Sequence, residues 1–175
     1  MSGPSPFVVG ELPGFTPLIG RLVAMMAYAR RTTLAAVEGL TVAELDHLHD
    51  ERSNSIGALL AHIAAVEVAY QRGTFDGSEL TSADRARWEA ALMLGARARK
   101  EIQGNPLTHY VSALEEVRAH TLRELAQRDD AWLDQETPFW NGLRANYYFQ
   151  WFHVFEDELN HRGQIRWLRR RLPAP

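Results

Sequence analysis

Near its end the chain reads His153-Val-Phe-Glu-Asp157-Glu-Leu-Asn-His161-Arg-Gly-Gln-Ile165, with His, Asp and His spaced four residues apart. On a helix that spacing stacks the three side chains on one face. Two such side chains can grip one metal ion, as in other helical His-x-x-x-His sites. Successive members drift by about 40° around the helix and rise by about 6 Å. Adjacent members can therefore share an ion, either Asp157 with His161 or His153 with Asp157. The outer pair, about 12 Å apart along the axis, is too far separated. His62, in an earlier apolar segment, can add a third ligand from a facing helix. Three protein ligands leave positions for water or substrate, as catalytic sites do. Two His with one carboxylate is also the pattern of non-haem iron sites. A lone buried His is more often a packed core residue than a ligand. Asp157 is the unusual member, because it sits among Val154, Phe155, Leu159 and Ile165. A carboxylate buried there needs a cation or strong donors, which a metal, a protonated His or an Arg would supply.

Composition narrows the chemistry. The 175 residues include no Cys, which removes disulfides, thiolate zinc sites and a cysteine nucleophile. Any metal must be held by His, Asp, Glu or water, which suits Zn, Ni, Fe, Mn or Co rather than Cu(I). A net charge of −3 implies neither a nucleic-acid partner nor an acidic tail. The start of the chain is rich in Pro and Gly and is no signal peptide, and no segment is apolar for the length of a membrane span. A soluble cytoplasmic protein is expected.

The elements that must position these residues read as helices. Residues 1–13 are expected to form a flexible N-terminal arm, and 14–172 a single helical domain. From Phe15, apolar residues recur at spacings of three and four through Leu22, Met26 and Val37, and Gly39 closes that helix. Thr41-Val-Ala-Glu44 has the form of a capping box. Asp46 to Arg52 reads as a loop, and Ser53 or Ser55 caps the segment that carries His62 to about Gln71. Thr81 caps a further helix ending before Gly104. Asn105-Pro106 opens the next, with Asn as cap and Pro in the first turn, and it runs from Leu107 through Leu125. A loop from about Arg128 to Asn141 leads to the last helix, from about Arg144 to Arg171. Its closing Arg169, Arg170 and Arg171 suit the negative end of the helix dipole. No strand alternation is evident. The expected fold is all-α, a four-helix bundle with one extra helix between the second and third main ones.

Two segments resemble a known family. Ser55-Ile-Gly-Ala-Leu-Leu-Ala-His62-Ile-Ala-Ala-Val-Glu67 resembles the second-helix motif of the DinB/YfiT-like superfamily of metalloenzymes. The last-helix segment His153 to Ile165 resembles that family's His-x-x-x-His-Arg-Gly-Gln motif. The resemblance covers most of the chain and leaves Thr81 to Gly104 as an added helix. It implies an up-down-down-up bundle in which one His from the second helix and two from the last bind a divalent metal, often Ni or Zn. By position these are His62, Asp157 and His161, with Asp at a place where the family commonly has His. It also implies a homodimer.

The family's characterised members include transferases that use low-molecular-weight thiols such as bacillithiol, and a mycothiol-dependent maleylpyruvate isomerase. What the resemblance implies here is a metal-assisted transfer of such a thiol to an electrophilic small molecule, with the metal stabilising the thiolate. The alternatives are a metal-dependent hydrolase, or a non-catalytic, stress-associated metal-binding or dimeric bundle. His153 is expected to border the pocket, and Gln164 to orient a ligand or a bound water. Gly163 is expected to permit close helix approach. Glu67 lies about 140° round from His62 and reads as a structural salt bridge or cap rather than a metal ligand. His47 and His49 read as surface, and His109 and His120 lie too far apart to share an ion. The aromatic run from Phe139 to Phe155 exceeds one helical stripe, so part of it is free to line a pocket or a dimer interface.

Overall fold

A computed structural model describes residues 5 and 7–173. Part of the expected N-terminal arm, residues 1–4 and 6, lies outside the described residues. The described chain is mostly helical. Four long helices, α1 (Pro17–Val37), α3 (Ile56–Thr74), α6 (Leu107–Leu125) and α8 (Tyr147–Arg169), are joined by the short α2 (Val42–Asp46), α4 (Ser82–Met93), α5 (Gly95–Glu101) and α7 (Asp130–Leu133). α1 packs along α8, and α3 packs against both α6 and α8.

The helix starts follow the local chemistry. Thr41 and Thr81 both form full capping boxes, with Glu44 and Asp84. Ser55, rather than Ser53, caps α3 by accepting from Ala58 N at 3.1 Å. α1 is capped from a distance: the Asp130 carboxylate accepts from Leu18 N at 3.1 Å and Ile19 N at 3.2 Å. Arg169 at the end of α8 donates to the Ala36 and Glu38 carbonyls, 2.9 Å each, and so serves the C-terminus of α1.

Four expectations need correction. Asn105 does not cap α6; Pro106 holds that position without a side-chain bond. The helix expected from Thr81 to Gly104 breaks at Leu94, which takes φ 52° and ψ −152°. The segment expected as loop before α8 contains α7 and an antiparallel pair, β1 (Glu136–Pro138) with β2 (Arg144–Asn146). The last helix therefore starts at Tyr147, not Arg144. Each strand has three residues, too few for period-two alternation to register.

Apolar side chains gather in two clusters. One contains Val37, Leu60, Ile63, Leu114 and Ile165; the other contains Leu22, Met26, Leu125, Trp151 and Phe155. Near where the two meet, each long helix carries one buried charged residue: Arg30, Glu67, Arg118 and Glu158. Glu67 and Glu158 are fully buried and each is paired with both arginines. The Thr121 hydroxyl and the Leu114 and Met26 carbonyls take up further bonding capacity. Buried charges persist only when they are matched in this way.

Candidate metal centre

α3 and α8 present their polar residues to each other one turn from that ionic layer. His62 comes from the second turn of α3. Asp157 and His161 come from the middle of α8, whose start is fixed by Asn146 accepting from Phe149 N at 2.9 Å. Each of the three offers one ligand atom, and these atoms lie within 4.8 Å of one another. His62 Nε2 stands 3.9 Å from Asp157 Oδ2, and His161 Nε2 stands 3.4 Å from Asp157 Oδ1. The two imidazole rings meet edge to face, 4.6 Å between centroids. His153 is not part of this cluster; of the two pairings that spacing alone allowed, Asp157 with His161 is the one that His62 joins.

The tautomer of His62 is set from α4. Its Nδ1 lies 2.8 Å from the Ala91 carbonyl, which can only accept, so Nδ1 carries the proton and Nε2 keeps its lone pair toward Asp157. Burial lowers the pKa of His62; the Ala91 bond opposes this, His161 adds to it, and Asp157 opposes it. A neutral imidazole with a free Nε2 is the form that ligates metal.

The donor set fits a divalent cation. Asp157 Oδ2 is buried and takes no hydrogen bond, as is His161 Nδ1. A buried carboxylate oxygen without a donor is costly unless a cation satisfies it. Ligand atoms held at about 2.0–2.2 Å in a tetrahedral site are about 3.4 Å apart. The observed 3.4 and 3.9 Å separations are close to that spacing.

A cavity of about 480 Å³ opens beside His62 and Asp157. His153 borders it, with Nδ1 donating to Glu156 Oε2 at 2.9 Å. Tyr70 also faces it, and burial, then Asp157 and Glu156, push its hydroxyl pKa up. A separate groove between α3, α4 and α6 is lined by ion pairs, Arg72 with Asp84 and Arg87 with Glu116, that satisfy one another.

The remaining expectations divide. Gln164 is exposed and takes no hydrogen bond to the three site residues among the described residues. Gly163 faces open space, so it mediates no close helix approach. Glu67 is the expected structural ion pair. His49 lies on the surface against Trp167. Sequence reasoning missed the Ala91 carbonyl, because a backbone acceptor has no signature in residue type. It also missed Arg30 and Arg118 as partners of Glu67, and Glu158 as the second carboxylate they hold. The only hint was a charged residue in each apolar run.

Among curated proteins no significant match is found. A family model described as mycothiol-S-transferase matches residues 21–174, a span that includes α3, α8 and all three clustered side chains. A match over that much of the chain, ending in the motif that builds the cluster, means that the chain belongs to the mycothiol-S-transferase family, within the DinB/YfiT-like superfamily.

Proposed function

We propose that this protein is a divalent-metal-dependent S-transferase. It moves a low-molecular-weight thiol, mycothiol by the name of its family, onto an electrophilic small molecule. The observation that carries this reading is the convergence of His62, Asp157 and His161 beside a cavity that His62 and Asp157 line, with Asp157 Oδ2 left without a donor. A divalent ion, Zn, Ni, Fe or Mn, held by these three residues would stabilise sulfur as the thiolate.

The chain's own residues do the rest. Because it has no Cys, the nucleophilic sulfur must arrive as a substrate. The Ala91 carbonyl keeps His62 in the tautomer that turns Nε2 to the site. Leu92 and Val66 give the cavity apolar surface beside the site. In the transfer the S–H proton leaves to solvent and the sulfur lone pair forms the S–C bond. The leaving group then departs with the electrons of the bond it breaks.

We also infer an up-down-down-up bundle. In its support, α1 and α8 run from the Trp151 cluster toward the Ile165 cluster, while α3 and α6 run the opposite way. The cytoplasmic setting and the homodimer belong to the same proposal. No helix among the described residues is long and apolar enough to cross a membrane.

The test is conjugation by the metal-supplemented protein. Mycothiol and bacillithiol are each offered with 1-chloro-2,4-dinitrobenzene, alongside ester and amide hydrolysis substrates. Thiol-dependent aryl thioether formation above the uncatalysed rate, lost in His161→Ala, is expected. No thiol-dependent rate with either thiol, or hydrolysis alone, would overturn the reading.

A further inference from the structure

The lining of the cavity beside His62 and Asp157 restricts what can react there. Its apolar wall is built by Val66, Leu92, Phe139 and Trp140. Phe139 and Trp140 stack at 4.6 Å with planes 28° apart, and Trp140 meets His153 edge-on at 4.9 Å. Even so, Trp140 remains 56% exposed.

The hairpin that carries Trp140 is firmly held. Phe139 N donates to the Leu143 carbonyl at 2.8 Å, and the buried Gln150 donates to Thr137 Oγ1 at 2.9 Å. A large ring kept half open on a fixed support, beside a polar cluster, presents a preformed face for another flat ring. A second cavity, of about 400 Å³, lies against the same two aromatics; its Arg144 is already paired with the Glu136 carboxylate at 2.9 Å.

Charge narrows the occupant further. The ionisable groups facing the cavity are His62, Tyr70, His153 and Asp157, with Glu156 bonded to His153. Among the described lining residues there is no Lys or Arg. A carboxylated substrate would meet Asp157 and find no cationic side chain to pair with, and an unpaired buried charge is costly. A divalent ion held at the cluster would be offset by Asp157 and by a bound thiolate.

Resting on the transferase reading, we infer that the electrophile is a neutral, flat, largely apolar molecule that stacks on Trp140, and that carboxylated electrophiles are rejected. Electrophile choice is therefore set by the hairpin and by the lack of Lys or Arg among the described residues lining the cavity beside His62 and Asp157, while the cluster handles the sulfur.

Equilibrium dialysis tests this without turnover, using unreactive rings and the metal-loaded protein with saturating mycothiol, so that a thiolate and not the carboxylate occupies the ion. The expected result is that 1,3-dinitrobenzene binds at least tenfold more tightly than 3,5-dinitrobenzoate. Trp140→Ala should weaken the neutral ring about tenfold or more, and Trp140→Phe should retain most of its affinity. A parallel rate comparison uses 1-chloro-2,4-dinitrobenzene and 4-chloro-3,5-dinitrobenzoate, each divided by its uncatalysed rate. No binding of the neutral ring, equal binding of the two, or unchanged affinity in Trp140→Ala overturns the inference. Should Trp140→Ala fail to fold, the neutral-against-carboxylated comparison on the unaltered protein decides. If the rings bind as expected but no thiol transfer occurs, the transferase reading fails and the ring site stands. If transfer occurs with no preference for the neutral electrophile, the ring site fails alone.

Discussion

Asp157 and Glu158 are consecutive on α8 and belong to different clusters. The Asp157 carboxylate stands 3.4 Å from His161 and 3.9 Å from His62. Glu158 is fully buried and accepts from Arg30 Nε at 2.9 Å and Arg118 at 3.3 Å. Successive helical residues point about 100° apart. Pinning Glu158 between two arginines therefore fixes the rotation of α8 that turns Asp157 toward His62.

Removing Glu158 should damage both clusters. Glu158→Ala leaves two buried guanidinium groups sharing one carboxylate, and losing one partner of such a network costs about 3–5 kcal/mol. Urea unfolding should show a midpoint well below that of the unaltered protein, and residual folded protein should bind metal more weakly. An unchanged midpoint would show that the ionic layer does not hold the helices together.

Acid should act in two stages. Burial lowers the pKa of His62 below the ordinary 6.5, so the unfolded chain takes up its proton first, and stability declines as pH falls from about 6.5. Burial pushes the Glu67 carboxyl up, but Arg118 and Arg30 override it and hold the pKa below 4.5. Its contribution is present above pH 4.5 and is lost as pH falls below that value. Unfolding free energy of the metal-free protein, measured from pH 8 to 3, should decline gently at first and steeply below 4.5. In that metal-free protein His62→Gln should remove the gentle part.

Leu94 offers an inverted substitution series. Its φ of 52° with ψ −152° is backbone that suits glycine, and such strain costs about 1–3 kcal/mol. Leu94 also packs against the core. Leu94→Ala loses packing and keeps the strain, whereas Leu94→Gly loses packing and relieves it. Thermal unfolding should rank Leu94→Gly above Leu94→Ala, the reverse of the usual order in a helix. The usual order would show that the break at Leu94 is unstrained.

A histidine in place of Asp157 should strengthen thiol activation. Asp157→His removes one negative charge from the ligand set and so raises the pull of the cation on sulfur. The lower limb of the pH–rate profile for conjugation should move to lower pH. Equal metal loading with an unchanged profile would contradict this.

How much was legible depended on how local the signal was. Thr41, Ser55 and Thr81 as caps follow from a few adjacent residues, and they hold. Asp157 with His161 was one of two pairings that a four-residue spacing allowed, and resemblance singled it out; His62 was already a candidate third ligand from its earlier apolar segment. Arg30 and Glu158 are 128 residues apart in sequence, so no local pattern pairs them. The β1–β2 hairpin was hidden because its strands are too short for alternation. The Ala91 carbonyl that orients His62 belongs to the added helix, where residue type gives no sign of a backbone acceptor.

Elemental analysis of the purified protein, with His62→Ala and His161→Ala alongside, tests the metal centre most directly. One divalent ion per chain is predicted, retained or restored on addition, with a loss of at least tenfold in affinity for each variant. A folded protein that carries no stoichiometric metal, and binds none when Zn, Ni, Fe or Mn is supplied, would contradict the account.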